Sequence, residues 1–284
     1  MSLANLRPTI TVCIPAHNEE STVGNIVRHL RDMYQRRRQF IDEIIVVDDR
    51  SSDRTAQVAR VAGARVIRTQ DECAIFGGSI GKGDAIWASL RACRTQLIGW
   101  VDADLVSYPE NMVEEIFDPL LSNPNIKLVK GSFCRVDENR KPVVGGRVTA
   151  LTARPLLEMF FPELMRLRDP LSGMFGGRTE EIGALMLDAD YGVDIGIVLD
   201  LAAKYGSESI CEVQVGELMH RNRPLGELTT MATMVVRAIM SRVSRAKLMG
   251  LSDVTADLEI THQLVRRLPP FERIKHFDVL GAVI

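Results

Sequence analysis

The stretch Ile41–Asp53, IDEIIVVDDRSSD, joins a continuous apolar run to an acidic, turn-rich loop. The same succession occurs at Thr9–Glu20 (TITVCIPAHNEE) and at Leu97–Asp104 (LIGWVDAD), and residues with helical spacing follow each loop. Strands that are apolar at every position are typical of parallel strands covered by helices on both faces. We therefore predict an α/β fold with a doubly wound, mostly parallel sheet and right-handed crossovers. In such sheets ligands bind beyond the carboxyl ends of the strands, where the three polar loops lie.

The composition is that of an ordinary globular protein, with 284 residues, 46% hydrophobic and 25% charged side chains. It excludes disordered, collagen-like and coiled-coil classes. The 35 basic and 37 acidic side chains give a formal charge of −2, so nothing indicates a nucleic-acid partner. The first eight residues contain no signal-peptide core, and no apolar stretch approaches the ~20 residues of a membrane span. We expect a soluble, cytoplasmic protein.

The cysteines are five in number, widely spaced and without a C-x-x-C pair. This spacing argues against a zinc site or a disulfide framework and favours a reducing compartment.

Two carboxylates, Asp102 and Asp104, directly follow the apolar run LIGWV. At this spacing both can face one divalent cation and its diphosphate ligand, and carboxylate oxygens suit Mg²⁺ or Mn²⁺. The alternative is a pair of solvated turn aspartates. Asp48 and Asp49 repeat the arrangement after a second strand, either as acceptors for a nucleobase or ribose or as an Asx turn before the next helix.

A glycine-rich loop ends in Gly81-Lys82-Gly83 at the start of a helix. The loop fits neither the Walker pattern, which needs glycine where Phe76 stands, nor the dinucleotide fingerprint, which needs glycine or alanine at Ile86. What remains is a flexible backbone that presents one ammonium group to an anion.

Two polar motifs of the second half can bind anions or a metal. The run Gly145–Thr149 (GGRVT) enters a helix, so its N–H groups and the Arg147 guanidinium can bind a phosphate or carboxylate. A plain helix start with a surface arginine is the alternative. His220, which opens the run HRNRP after the last strand, can be a metal ligand or a hydrogen-bond donor.

Taken together, these motifs resemble those of nucleotide-sugar glycosyltransferases with the GT-A fold. More narrowly, they are similar to glucosyl-3-phosphoglycerate synthases and their mannosyl-transferring relatives. PAHNEE, DDRSSD and DAD occur in many GT-A enzymes, whereas the later motifs are more specific. The resemblance rests on PAHNEE (Pro15–Glu20), VVDDRSSDRT (Val46–Thr55), GKGDAIWASL (Gly81–Leu90), WVDADL (Trp100–Leu105), GGRVTALTARPLL (Gly145–Leu157), DPLSG (Asp169–Gly173), YGVDIG (Tyr191–Gly196) and HRNRPL (His220–Leu225).

The resemblance implies a role for each matching residue. It implies that Asp104 and His220 bind Mg²⁺ or Mn²⁺ and that the catalytic residues are Asp104, Arg147 and Asp194. It also implies transfer with retention of the anomeric configuration. The implied donor site consists of Pro15, Ala16, Glu19, Asp49, Lys82, Asp102, Ala103, Tyr191, Gly192, Val193 and Asp194. The implied acceptor site consists of Gly146, Arg147, Val148, Thr149 and Asn222.

Four positions depart from the family pattern. Met174 and Asp194 stand where relatives often have glutamate, and Leu218 stands where an arginine commonly precedes the metal histidine. Asp49 replaces a serine found in some relatives. These departures leave open the choice between UDP and GDP donors and the identity of the acceptor.

The function that the resemblance implies is metal-dependent transfer of a glucosyl group, from UDP-glucose in preference, to the 2-hydroxyl of 3-phospho-D-glycerate. The alternatives are mannosyl transfer from GDP-mannose, a broad donor range, or another small acidic acceptor. An inactive nucleotide-sugar-binding module and a sugar-nucleotide pyrophosphorylase are less well supported, because the ligand residues are present and the first loop is PAHNEE. We expect a donor-binding half at residues 1–136, an acceptor-binding helical half at 137–250 that shares its core, a tail at 251–284, and a homodimer.

Overall fold

The computed structural model describes residues 7–74, 78–107, 109–136, 141, 146–220, 225–243 and 267–270. The strands are β1 (Ile10–Ala16), β2 (Glu43–Asp48), β3 (Arg65–Arg68), β4 (Leu97–Trp100), β5 (Leu105–Ser107), β6 (Leu128–Arg135), β7 (Phe175–Arg178), β8 (Leu187–Asp188), β9 (Ile210–His220) and β10 (Arg267–Leu268). The α-helices are α1 (Val23–His29), α2 (Thr55–Ala62), α3 (Thr69–Glu72), α4 (Lys82–Ala92), α5 (Met112–Ser122), α6 (Arg154–Phe160), α7 (Thr179–Gly183), α8 (Val193–Tyr205) and α9 (Leu225–Met240). Two π-helical segments, Leu30–Arg37 and Thr149–Ala153, continue α1 and precede α6.

One eight-stranded sheet organises the chain, in the order β3-β2-β1-β4-β7-β6-β9-β5. The strands β3, β2, β1 and β4 are mutually parallel, and β9 is parallel to β6. In contrast, β7 lies antiparallel between β4 and β6, and β5 pairs antiparallel with β9. The predicted doubly wound, mostly parallel sheet is therefore confirmed, and it combines strands from both sides of residue 136.

Helices cover both faces of this sheet, as its apolar strands require. One core cluster contains side chains of α1, α2 and α5, and the other contains side chains of α4, α6, α8 and α9. The largest ring contact of the second cluster is the stack of Trp100 on Phe175, whose centroids are 4.5 Å apart. Among the helices that the structure describes, none has the length and apolar character to cross a membrane.

The strand β7 is absent from the pattern-based prediction, which assigns Asp169–Gly177 to a loop. Its sequence, FGGR, lacks the β-branched residues that mark a strand. The structure shows why glycines are needed: a Cβ on Gly176 would lie 2.8 Å from an Ile116 methyl, and one on Gly177 would lie 2.5 Å from an Ile182 methyl. Helices α5 and α7 thus approach the sheet too closely for side chains on β7.

Other boundaries also differ from expectation. The strand β9 extends through His220, which the sequence places after a strand that ends at Val215. The helix expected at Leu228–Met249 is α9 (Leu225–Met240), and residues 244–250 lie outside the described part of the chain. In the tail, β10 pairs with β8, and Trp87 Nε1 donates a 2.9 Å hydrogen bond to the carbonyl of Pro269.

Candidate active site

The carboxyl ends of β1 and β2 lie side by side and bring the first two polar loops together. Pro15 pairs with Val47 and Ala16 with Asp48, and the Asp49 N–H donates to the Ala16 carbonyl at 2.8 Å. Parallel pairing carries each strand into its loop at the same edge of the sheet. Three residues of the predicted donor site, Pro15, Ala16 and Asp49, are therefore adjacent.

The Asp49 carboxylate accepts hydrogen bonds from three side chains of its own chain. Its Oδ1 accepts hydrogen bonds from Ser79 (2.7 Å), Thr69 (2.9 Å) and Arg50 Nε (3.0 Å), and its Oδ2 accepts from Arg50 NH2 (3.1 Å). Burial alone would raise the pKa of Asp49, but these hydrogen bonds hold it below its ordinary value. The neighbouring Asp48 Oδ1 accepts the Ser51 N–H at 3.2 Å, as the Asx-turn interpretation predicts.

A hydroxyl group links the first loop to the Asp102–Asp104 motif. The backbone N–H of Glu19 donates to Thr55 Oγ1 at 2.8 Å, which fixes the loop after β1. Thr22 Oγ1 then lies 3.1 Å from Glu19 Oε2 and donates to the Ala103 carbonyl at 2.7 Å. The loop after β1 therefore supports the loop after β4 through one side chain that the sequence analysis did not identify.

Asp102 rests against the backbone of Gly173. A Cβ built on Gly173 would lie 2.1 Å from Asp102 Oδ1 and 2.9 Å from Oδ2, so no other residue type fits there while Asp102 keeps its place. The DPLSG motif thus contains a glycine because a carboxylate of the other half of the chain lies on top of it.

The predicted metal ligands, Asp104 and His220, lie on neighbouring segments. Leu105, which follows Asp104, pairs with His220 in the antiparallel β5–β9 ladder. The backbone pairing thus brings the two positions close together, and a carboxylate and an imidazole are ligand types that suit a divalent cation. Among the side chains that the structure describes, no group of three His, Cys, Asp or Glu residues could hold a metal ion, and the His220 ring is outside that set.

A buried ion pair joins the glycine-rich loop to the start of α8. Lys82 Nζ lies 2.8 Å from Asp194 Oδ2, and the two side chains are 16% and 7% exposed. Burial would lower the pKa of Lys82, but the attraction of Asp194 and Asp102 raises it above its ordinary value, so the ammonium is charged. Asp194 Oδ1 is buried and accepts no hydrogen bond from the part of the chain that the structure describes.

The glycines around Lys82 serve close backbone approach. A Cβ on Gly83 would lie 1.9 Å from the Asp188 carbonyl oxygen, and one on Gly81 would lie 3.1 Å from Asp190 Cα. The Asp84 N–H donates to the Ala189 carbonyl at 3.1 Å. Glycine at position 83 lets the start of α4 pack onto residues 188–190, which brings Lys82 to Asp194.

The other residues predicted from the YGVDIG motif lie at the start of α8. The Gly192 N–H donates to Asp190 Oδ1 at 2.8 Å, and Tyr191 is partly buried. Val193 is fully buried in the core, so its side chain faces away from solvent.

The predicted acceptor site begins where the chain enters the helical run before α6. Gly146 has φ +64°, a left-handed conformation that glycine adopts without strain, and its carbonyl accepts the Ala150 N–H at 2.8 Å. Arg147 and Val148 are partly buried, and the buried Thr149 donates to Asp169 Oδ1 at 2.9 Å. Gly145 and Asn222 lie outside the described residues.

Contacts across the sheet identify residues that the sequence analysis passed over. Arg135 NH2 lies 3.3 Å from Asp169 Oδ2, and Arg135 pairs in register with Leu218 on β9. His17 Nδ1 lies 2.6 Å from the Asp49 carbonyl oxygen. Lys130 is buried at the centre of β6 and donates to the Ser172 carbonyl at 2.6 Å. His17 lies inside the PAHNEE motif, whereas Arg135 and Lys130 belong to no local motif, and each of the three contacts an element far away in the chain.

Comparison with known proteins assigns the chain to a family. A sequence model of Glycosyl transferase family 2 matches residues 11–172. The glucosyl-3-phosphoglycerate synthase of Petrotoga mobilis is 34% identical over 261 residues, which cover 91% of this chain and 79% of that protein.

Solved structures of a Mycobacterium tuberculosis enzyme are also similar. The crystal structure of its glucosyl-3-phosphoglycerate synthase with Mn²⁺, UDP-glucose and phosphoglyceric acid matches with a TM-score of 0.79 and 33% identity, over 94% of this chain and 91% of that chain. The complex with Mn²⁺, UDP and glucosyl-3-phosphoglycerate matches with a TM-score of 0.75 and 35% identity, over 83% and 80% of the two chains.

These similarities confirm the predicted GT-A fold, because they extend over both halves of the sheet. The family model matches more than half of the chain, and the Petrotoga relative is similar over most of its own length. The chain therefore belongs to glycosyl transferase family 2 and, within it, to the glucosyl-3-phosphoglycerate synthases.

Proposed function

We propose that this protein transfers a glucosyl group from UDP-glucose to the 2-hydroxyl of 3-phospho-D-glycerate, with Mg²⁺ or Mn²⁺ at the donor site and with retention of the anomeric configuration. The observation that carries the proposal is the loop Asp169–Gly173, which touches Asp102 of the donor site and Thr149 of the acceptor site. The M. tuberculosis relative holds Mn²⁺, UDP-glucose and phosphoglyceric acid together.

On the donor side, Pro15, Ala16, Glu19 and Asp49 form the nucleoside end of the site, because they share one edge of the sheet. Asp49 is locked by Ser79, Thr69 and Arg50, so it offers a fixed negative group rather than a mobile one. The lone pairs that remain on its oxygens can accept a hydrogen bond from a nucleobase N–H.

Asp102, Ala103 and Asp104 face the diphosphate, and Lys82 supplies a buried positive charge nearby. A divalent ion on Asp104 and His220 stabilises the negative charge that develops on the leaving diphosphate. Lys82 is held by Asp194 and therefore needs no rearrangement to act on the same charge. Asp194 Oδ1 has no hydrogen-bond partner among the described residues and can accept a hydrogen bond from a sugar hydroxyl next to Tyr191, Gly192 and Val193.

On the acceptor side, Gly146, Arg147, Val148, Thr149 and Asn222 bind the phosphate and carboxylate of the acceptor. The N–H groups at the start of the helical run and the Arg147 guanidinium suit these anions. Their task is orientation: they hold the 2-hydroxyl against the anomeric carbon, and such positioning supplies a large part of the rate. The leaving phosphate accepts the hydroxyl proton.

We also propose a cytoplasmic homodimer with the nucleotide sugar and phosphoglycerate as its ligands and with no nucleic-acid or membrane partner. The five cysteines are all free thiols, which favours a reducing compartment. Leu151 and Met159, on one helical segment, are 78% and 60% exposed and can support self-association. Residues 1–136 and 137–250 are proposed as donor and acceptor halves, and 251–284 as a tail. Light scattering tests the dimer.

The decisive experiment is a matrix of UDP- and GDP-sugars against 3-phosphoglycerate and glycerate, with and without Mg²⁺, read by product mass and by NMR of the anomeric proton. We expect glucosyl-3-phosphoglycerate from UDP-glucose, only with metal, and in the α configuration of the donor. Preference for GDP-mannose would favour the mannosyl alternative, and preference for glycerate would favour a different acidic acceptor. No product from any pair would refute the proposal.

A further inference from the structure

A lysine at the centre of the sheet has no role in the chemistry proposed so far. The Lys130 side chain is 1% exposed, and its ammonium lies 4.3 Å from the centre of the Phe175 ring. Burial lowers the pKa of this lysine to about 8, while Asp194, Asp169 and Asp102 oppose the shift. Burying a charged ammonium group costs free energy unless the group is well paired, so we consider which groups bind Lys130.

What Lys130 holds is the turn on either side of Gly173. Its Nζ donates to the Ser172 carbonyl at 2.6 Å, and the next residue, Gly131, donates its N–H to the Met174 carbonyl at 2.8 Å. Two successive residues of β6 therefore bind the carbonyl groups of Ser172 and Met174, the residues on either side of Gly173. The turn is closed on itself by the Ser172 N–H, which donates to the Asp169 carbonyl at 3.0 Å.

Gly173 is in turn the surface on which Asp102 rests. The Asp102 oxygens lie within 2.1 Å and 2.9 Å of the place where a Gly173 Cβ would stand. A shift of this turn by a few tenths of an ångström toward β4 would push the Asp102 carboxylate, and a shift away would remove its support. The position of Asp102 thus depends on the turn whose Ser172 carbonyl accepts the hydrogen bond from Lys130.

We propose that Lys130 is a positioning residue of the donor site: through Ser172 and Gly173 it sets the place of the Asp102 carboxylate. The inference rests on the proposed function only in taking Asp102 as a ligand of the nucleotide. Partners that orient a ligand residue typically change affinity or activity by ~10–100-fold when removed.

The test measures UDP binding directly, by calorimetry, with Mg²⁺ and in EDTA, together with the KM of each substrate. Lys130→Met removes the donor and the charge at similar volume, and Lys127→Met is the matched control, because Lys127 directly precedes β6 and pairs with Glu181 at 20% and 18% exposure. We expect Lys130→Met to raise the UDP Kd and the donor KM by ~10-fold or more. The acceptor KM and all constants of Lys127→Met stay within about twofold.

Two further variants keep the inference falsifiable if Lys130→Met does not fold. Lys130→Arg retains donor groups and charge and is expected to recover most of the UDP affinity. Gly173→Ala pushes Asp102 directly, so it weakens UDP binding, and adding Lys130→Met to it costs little more, because both act on one contact.

The inference is overturned if Lys130→Met binds UDP within twofold of the wild type. Where Lys130→Met does not fold, it is overturned if Gly173→Ala binds UDP within twofold of the wild type, or if Lys130→Arg folds but loses UDP affinity as Gly173→Ala does. It is also overturned if Lys130→Met raises the donor KM and the acceptor KM by the same factor and lowers the Tm. That result would indicate a purely structural lysine. A wild-type chain that binds no UDP would refute the proposed function instead.

Discussion

The donor and acceptor sides of the site are built in different ways. The donor side takes its residues from the carboxyl ends of three parallel strands, and their backbone pairing places Ala16, Asp49 and Asp102 at one edge. The acceptor side comes from the segments around Gly146 and Asp169, which side-chain contacts such as Thr149–Asp169 and Arg135–Asp169 hold in place. Topology positions the first, and individual hydrogen bonds position the second. Substitutions should therefore affect the two sides differently.

The largest effect is expected on the donor side. Asp104→Ala should lower kcat by at least ~10³-fold, because it removes the carboxylate that we propose as a ligand of the metal on the leaving diphosphate. The sheet that carries it should remain, so Tm changes little. Steady-state kinetics at saturating Mg²⁺ measure this, with the exposed Asp118→Ala as the control. Turnover close to that of the wild type would exclude Asp104 as a metal ligand.

The Lys82–Asp194 pair should couple activity to stability. Lys82→Met leaves a buried carboxylate without its partner, and we expect unfolding free energy to fall by about 3–5 kcal/mol and kcat to fall by ~10²-fold or more. The double variant Lys82→Met/Asp194→Leu should regain much of the stability but none of the activity, because an apolar pair can replace a buried ion pair in packing only. Urea unfolding with parallel assays separates the two effects. Equal recovery of both would contradict the role of the pair in the site.

Lys130 lies between the two sides, and its titration should change the free energy of unfolding as the pH changes. Its pKa is about 8 in the folded protein and 10.5 ordinarily, so between these values the unfolded chain binds more protons and the folded state gains stability as pH rises. The full gain is up to about 3 kcal/mol. It should appear as a difference between wild type and Lys130→Met in urea unfolding at pH 7 and pH 10. Lys127→Met should show no such difference, and parallel curves for wild type and Lys130→Met would contradict the lowered pKa.

The smallest effect is expected on the acceptor side, where a substitution should change only the binding of the acceptor. Arg147→Ala should raise the acceptor KM by ~10-fold, the value of one charge-assisted contact to a phosphate, and leave the UDP Kd unchanged. Initial rates with varied 3-phosphoglycerate measure this, and the exposed Arg168→Ala is the control. A change of the donor KM alone would place Arg147 on the other side of the site.

The sequence predicts the arrangement of the donor-side loops, because strand and loop are contiguous there. Asp48, Asp49, Asp102 and Asp104 follow apolar runs, and parallel pairing alone brings these loops to one edge. The sheet class, most helices and the place of the Lys82 loop follow from the same local patterns.

What the sequence does not predict depends on distant contacts. The sequence of β7 does not resemble a strand, because the close approach of α5 and α7 requires glycine at two of its positions. Lys130 lies in an ordinary strand, with no motif around it. Met174, a departure from the family pattern, is fully buried in the core, so its side chain belongs to packing. Periodicity cannot indicate these roles, because they depend on packing between elements, as in the hydrogen bond that joins Lys130 to Ser172 across 42 residues of chain.

The hydrogen bond from Trp87 to Pro269 connects helix α4, which begins with Lys82 of the donor site, to the segment around β10. β10 covers one edge of β8, and β8 is the segment onto which Gly83 packs to bring Lys82 to Asp194. A chain that stops before Arg267 would leave the buried Trp87 indole without its acceptor and the β8 edge unpaired. We therefore expect truncation of the carboxyl terminus to disturb the position of Lys82 in the proposed nucleotide-sugar site. The deleted residues nevertheless follow every recognisable sequence motif.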